Sequence, residues 1–399
     1  NLKDATIKSK NAETFSIGSA IFQNSPVLTS AVFEGPSITQ NMFNNCPELT
    51  SVTTNATNIQ SAAFQKDAKL AKITNLADSK KTIVAKEIGA NAFNGCSALT
   101  TTHCDAKTTF TGASQYTGCS SIKSATLGAL TQNMFKDCTS LESVTLSDVT
   151  IIPDSAFQNC SALNKLDLTN IISIGNDSFA NTGFTSVKTE NAQTIGSNAF
   201  AGSQNLKSVD VAAATIGSNA FYNCPVLEDA VIYASTIGSN AFANNAILST
   251  VTLQSNDQRK LEKIDSYAFS NDPKLYEIVI PGSPVIGTKA IGYKKNAVDP
   301  VFLIAGEPGS SSHNYATDNN IAFCDVKDFD LTARQNSRKT PGDVDGNSVI
   351  SVADAVKLQS WLFNKPIEDY VPGNMDVNSD GKVNTLDMIA IRQKLAKTK

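Results

Sequence analysis

Two twelve-residue stretches near the end of the chain hold residues whose types and spacing could do chemistry: DVDGNSVISVAD at 343–354 and DVNSDGKVNTLD at 376–387, thirty-three residues apart. A hard divalent cation takes about six to eight oxygens from a flexible loop, and calcium loops draw them from positions 1, 3, 5, 7, 9 and 12. In the first stretch these positions are Asp343, Asp345, Asn347, the Val349 carbonyl, Ser351 and Asp354. In the second they are Asp376, Asn378, Asp380, the Lys382 carbonyl, Asn384 and Asp387. Six of the eight acids in residues 343–399 fill these slots, a sorting that a merely solvated surface does not require. The expectation is two calcium ions. Position 12 is Asp in both loops, where an EF-hand uses Glu. Position 6, a sharp turn that suits glycine, is Gly381 in the second loop and Ser348 in the first, so the first site is expected to be the weaker or less regular one.

The elements that must position these oxygens follow each loop. Ala355, Leu358, Leu362 and Phe363 after the first, and Met388, Ile391 and Leu395 after the second, are spaced to share one helical face. Trp361 reads as packing on such a helix. The segment TARQNSRKTPG at 332–342 is polar, ends in Pro341 and Gly342, and reads as a linker, drawn at 329–342. Two loop–helix units with Asp at position 12 and no helix before the first loop resemble a type I-like dockerin, over residues 343–399. That resemblance implies a small all-α module folded by calcium, whose partner is a cohesin domain of a scaffoldin in a cellulosome-type complex. Without metal, six loop carboxylates would repel one another around a very small core. In dockerins the partner is read at loop positions 10 and 11 and further along each helix. Here those residues are Val352, Ala353, Gln359 and Ser360, then Thr385, Leu386, Arg392 and Gln393, with Lys397 beyond. The halves differ, which implies one dominant docking orientation.

The rest of the chain is governed by a repeat. TIGSNAF occurs at 194–200, 215–221 and 236–242, a period of 21. Its aromatic recurs as Phe22, Phe43, Phe64, Phe93, Tyr116, Phe135, Phe157, Phe179, Phe200, Phe221, Phe242 and Phe269, with Ile291 in a partial last copy. Five residues before it stands Ile or Leu, as in Ile38 and Ile216; six after it stands Leu, as in Leu49 and Leu227; further apolar residues follow at nine and eleven. The ending LxxVxL alternates as a short half-buried strand does. One such unit cannot bury its apolar face alone, so neighbouring units must stack. Insertions near 80 and 256 are expected as loops. Six of the eight cysteines lie three residues after the aromatic, in a slot that elsewhere holds Ser, Asp, Thr or Asn. They read as small buried hydrophobes, although Cys119 and Cys138 on adjacent coils could come near pairing distance.

This grammar resembles the BspA-like leucine-rich repeats of bacterial surface and secreted proteins, over roughly residues 10–325. The resemblance implies a β-rich solenoid of short strands and short helical turns over 1–328, closed by a cap at about 306–325. It also implies a non-catalytic role in adhesion or protein binding.

Composition sets the outer limits. Of 399 residues 41% are hydrophobic and 18% charged, with a net charge of −4, which excludes a disordered chain, a coiled coil and a polybasic nucleic-acid binder. No apolar run reaches the length of a membrane span. The chain starts at Asn1, without a Met, and reads as a processed or a trimmed protein. His103, Cys104 and Asp105 invite a nucleophile–base reading, but strand neighbours point to opposite faces, so His103 is expected outside and Cys104 inside. His313 reads as cap surface. The outer strand positions, among them Ser51, Thr53, Ser124, Thr126, Ser143, Thr145, Lys165 and Asp167, form a ladder of small polar residues without aromatic sugar platforms. The expectation is a secreted, extracellular, non-enzymatic binding protein, held at the cell surface through its complex. The solenoid would offer a second surface to a protein or glycan. The rivals are a passive spacer and an adhesin independent of polysaccharide degradation.

Overall fold

The computed structural model describes residues 2–8, 17–329, 341–345, 349–365, 370, 372–378 and 382–397. The chain divides into two compact units, Asn1–Leu206 with Ile216–Cys224, and Lys207–Thr215 with Pro225–Lys399.

In the first unit most repeats make one coil with two short parallel strands, and at Ser186–Ile195 the two run together as one strand. Asp4–Ile7, Ser30–Phe33, Ser51–Thr54 and Lys72–Asn75 form one ladder in chain order, and Ser37–Ile38, Asn58–Ile59, Glu87–Ile88 and Thr109–Phe110 form another. Register pairs each slot of the repeat with itself, as in Ser30 with Ser51 and Val52 with Ile73. A slip of one residue would turn Val52 and Ile73 outward, so burial fixes the pairing. The second ladder carries the Ile that precedes the aromatic, and Ile38, Ile59 and Ile88 are buried in it.

Identical slots therefore stack. From Phe22 to Phe221 the repeat aromatics lie ring over ring, with centroids 5.1–5.8 Å apart and planes within 12° of parallel. That spacing is close to the distance between neighbouring strands, so one translation serves both backbone and rings. The thiols of Cys46, Cys96, Cys119, Cys138, Cys160 and Cys224 each donate to the carbonyl of the aromatic one coil earlier, at 2.9–3.4 Å. None of the eight cysteines is in a disulfide.

The aromatic sits in a run of turns flanked by left-handed residues, two before it and two after it. Asn41 and Asn45 flank Phe43, Asn219 and Asn223 flank Phe221, and all four have φ of 55–60°. Asn tolerates this conformation better than most residues, which explains the Asn of the NAF motif and its echo two residues past Phe. The glycine of TIGSNAF has a different cause: a Cβ on Gly196 would lie 2.6 Å from the Gly175 backbone of the preceding coil.

Two coils depart from the expected strands. Residues 101–105 and 165–168 make no ladder. In each case an aspartate captures its own backbone: Asp105 accepts the Lys107 amide at 2.8 Å, and Asp167 accepts the Thr169 amide at 3.0 Å and its hydroxyl at 2.7 Å. Such turns compete with strand pairing. His103 consequently reverses its expected place. It has φ 55°, is buried, and packs on the Phe93 ring, while Cys104 is half-exposed. Lys165 and Asp167 are exposed, but on an irregular segment instead of a strand.

In the second unit Asp229–Ile237, Thr250–Gln254, Glu277–Val279, Leu303–Gly306 and Ala322–Asp325 continue the parallel pattern in chain order. Helix α1 (Ser311–Asp318), capped by Ser310, precedes the last of these strands. His313 stacks on Phe323, with centroids 4.4 Å apart, which leaves it as a packing residue. Beyond lie helices α2 (Val352–Leu362) and α3 (Thr385–Lys397). Their shared core is Val344, Ala355, Leu358, Met375, Val377 and Ile391, with Trp361, Leu362, Met388 and Leu395 packed against it. Tyr276 and Val301 of the coils belong to the same cluster. Phe363 does not join: α2 ends at Leu362, and Phe363 is 67% exposed at its C-cap.

Candidate metal centre and docking surface

The first loop gathers its acids. One carboxylate oxygen from each of Asp343, Asp345 and Asp354 lies within 4.8 Å of the others, and Asp343 and Asp354 are fully buried. Like charges held this close out of water are costly without a cation. A set made only of oxygens suits a hard ion such as calcium, so these residues fit the expected metal.

Position 12 organises both loops in the same way. Asp354 Oδ1 accepts the Asp345 amide at 2.9 Å, and its Oδ2 accepts the Ser351 amide at 2.7 Å. Asp387 Oδ1 accepts the Asn378 amide at 3.2 Å, and its Oδ2 accepts the Asn384 amide at 2.8 Å. One aspartate thus ties positions 3 and 9 of its loop together. Position 9 is also the helix N-cap: Ser351 Oγ accepts from the Ala353 amide, and Asn384 Oδ1 from the Leu386 amide. Burial raises the Asp387 pKa, aided by the charge of Asp376 and opposed by the three amides it accepts from Asn384, Asn378 and Val377. Asp376 is itself buried, and Lys274 of a preceding coil reaches to within 3.7 Å of it.

Of the remaining expected ligands, Val349, Asn378 and Lys382 are exposed, as suits loop residues. Asn347 and Asp380 lie outside the described residues, as do Ser348 and Gly381. Two contributors were not legible. Asn374 is buried, donates to the Asp343 carbonyl at 2.6 Å and accepts the Gly342 amide at 2.9 Å, so it joins the approach to one loop with the start of the other. Lys274 sits about a hundred residues upstream. Neither carries a repeat signal, because each reaches its loop only through the fold.

The residues expected to meet a partner lie on the outside. Val352, Ala353 and Gln359 on α2 and Thr385, Leu386, Arg392, Gln393 and Lys397 on α3 are exposed, and Ser360 is half-buried. The structure adds Val356 and Ile389, one helical turn from Val352 and Leu386, and both are more than half exposed. Six of the thirteen exposed large apolar side chains among the described residues fall here: Val349, Val352, Val356, Phe363, Leu386 and Ile389. Among the described residues no helix is long and apolar enough to cross a membrane.

Two family profiles match the chain. The profile of the BspA type leucine rich repeat region, in six copies, matches residues 1–86, 79–185 and 172–297. That of the dockerin type I domain matches residues 341–396. No curated protein matches the chain. Among solved structures, a leucine-rich repeat protein from Bacteroides ovatus ATCC 8483 is 19% identical over 75% of this chain and 87% of its own, with a TM-score of 0.51. A leucine-rich repeat protein from Eubacterium ventriosum ATCC 27560 is 18% identical over 78% of this chain and 92% of its own, with a TM-score of 0.43. The likeness to the first is one of fold. Neither profile belongs to a catalytic family, and dockerins in general bind calcium and suggest a cohesin partner. The repeat match runs through residue 297 of 399 on coils whose slots stack in register, so the chain belongs to the BspA type leucine-rich repeat family, with a type I dockerin domain at its end.

Proposed function

We propose that this protein is a secreted, non-catalytic binding protein. It docks through residues 343–399 onto a cohesin of a cellulosome-type scaffold, with one calcium ion in each loop, and its coils present a second surface to a protein or glycan at the site of polysaccharide degradation. The carrying observation is the pairing of a three-carboxylate cluster, two of its members buried, with exposed apolar side chains on α2 and α3. A calcium loop of this kind needs its metal to be stable. The apolar side chains need a partner to leave water. Asp343, Asp345, Asn347, Val349, Ser351 and Asp354 would hold the first ion, and Asp376, Asn378, Asp380, Lys382, Asn384 and Asp387 the second. Val352, Ala353, Gln359, Ser360, Thr385, Leu386, Arg392, Gln393 and Lys397 would meet the cohesin.

The test is a cohesin array probed with the full chain in calcium and again in chelator. Calcium-dependent capture by at least one cohesin is expected. Failure on every cohesin, or binding indifferent to chelator, would overturn the reading. Calorimetric titration of the same protein with calcium should show two unequal sites, the weaker belonging to the Ser348 loop.

A further inference from the structure

The strand ladder of the first unit has a gap, and the gap is shaped to receive a strand. Ser143–Leu146 pairs with Ser124–Leu127 on one side only. The segment that should pair on the other side, residues 165–168, is held in the Asp167 turn instead. The Ser143 amide bonds back to Lys123 and the Ser147 amide to Leu127. In a parallel ladder alternate residues point both backbone groups the same way, so Val144 and Leu146 turn theirs toward the gap.

A cleft of about 580 Å³ lies there, lined by Val144, Leu146, Leu166 and Ile171 together with Asp148 and Asp167. Val144 and Leu146 are only partly buried, whereas the matching Val52 and Leu127 of other coils are fully buried. The missing strand thus leaves open hydrogen-bonding edges and apolar core positions in one place. Two acids and no base line the cleft, and no aromatic ring is present to stack a sugar.

We infer that this cleft binds an extended peptide segment of a partner protein, added as a strand beside Ser143–Leu146, with a Lys or Arg side chain of that segment meeting Asp148 and Asp167. Strand addition draws affinity from main-chain hydrogen bonds and specificity from alternate side chains. An open edge is otherwise a liability that proteins cover. About four extended residues, near 13 Å, span the edge. The inference rests on the reading of the coils as a binding surface, and names the site and ligand class on it.

The test uses the full chain in chelator, so that calcium-dependent docking is silent. The probes are fluorescent eight-residue peptides in which Val, Ile or Thr alternates with Lys, Glu or Ser. The Lys series should bind at least tenfold more tightly than the Glu series. Methylating alternate peptide amides should cost at least tenfold, and Asp148→Asn with Asp167→Asn should abolish the preference for Lys. Changing Thr53 and Thr126 to Lys, on the outer ladder of other coils, should leave binding intact. Equal binding of Lys and Glu peptides, or indifference to amide methylation, overturns the inference. Peptide binding lost only in the Thr53 and Thr126 variant overturns the cleft but keeps the coils as a binding surface. No binding to peptides, proteins or oligosaccharides alike overturns both.

Discussion

Asp67 occupies the slot that holds cysteine in six other coils. It is fully buried, its Oδ1 accepts the Cys46 amide at 2.7 Å, and burial pushes its pKa up to about 9. The folded protein therefore keeps a proton that the unfolded chain releases near pH 4, and stability falls as pH rises from about 4 toward 9. Asp67→Asn keeps the acceptor and removes the titrating group, so folding no longer has to take up a proton. It should stabilise the protein at pH 7 by on the order of 1–3 kcal/mol, and the gain should vanish near pH 4, as followed by denaturant midpoints. His103 has the opposite slope. Burial lowers its pKa to about 4, so the folded state refuses a proton that the unfolded chain takes up below about pH 6.5. Its Nε2 accepts the Ile73 amide at 3.3 Å. Amide exchange at Ile73 should quicken as pH drops from 6.5 toward 4, after correction for intrinsic rates, and His103→Gln should lose that pH dependence. Burial also holds the column thiols protonated, with Cys46 raised to about 11 and Cys138 to about 12. Their slot was legible because it recurs. The inward turn of His103 was not, because it depends on the Asp105 turn beside it.

At the scale of the coil, close approach sets the tolerance. Gly196 and Gly287 both leave room for the preceding coil's backbone, where an added Cβ would meet atoms at 2.5–2.6 Å. Gly196→Ala should cost about 1–3 kcal/mol, measured as a lower unfolding midpoint, whereas Ser197→Ala, at a half-buried neighbour, should change it little. The aromatic period, the Leu column and the alternation of Val and Leu were readable because stacking repeats one environment many times. The failures at 101–105 and 165–168 share one cause: the apolar pattern asks for a strand while an aspartate nearby caps a turn, and local capping wins. Phe363 was misplaced for a related reason, since periodicity places a residue on a face without saying where the helix stops. The loop acids were legible because their geometry is local in sequence.

Over the molecule as a whole, a low charge content suits coils built from stacked Asn, Ser, Thr and apolar slots, while the loops concentrate acids where a cation can offset them. The contact between the last coils and the helices follows no such pattern. Lys274 approaches Asp376, an expected calcium ligand, at 3.7 Å, so its ammonium and a calcium ion would compete for one carboxylate. Lys274→Met should strengthen calcium binding at the second loop by about threefold at low salt, read by calorimetry on the full chain, and the difference should shrink as salt rises. Tyr276 and Val301 share the helical core with Leu358, Met375 and Ile391. If residues 343–399 anchor the protein to a scaffold, tension on the coils does not reach the anchor through the covalent chain alone. It is divided with a packed apolar contact, which must shear before the connecting residues carry the whole load.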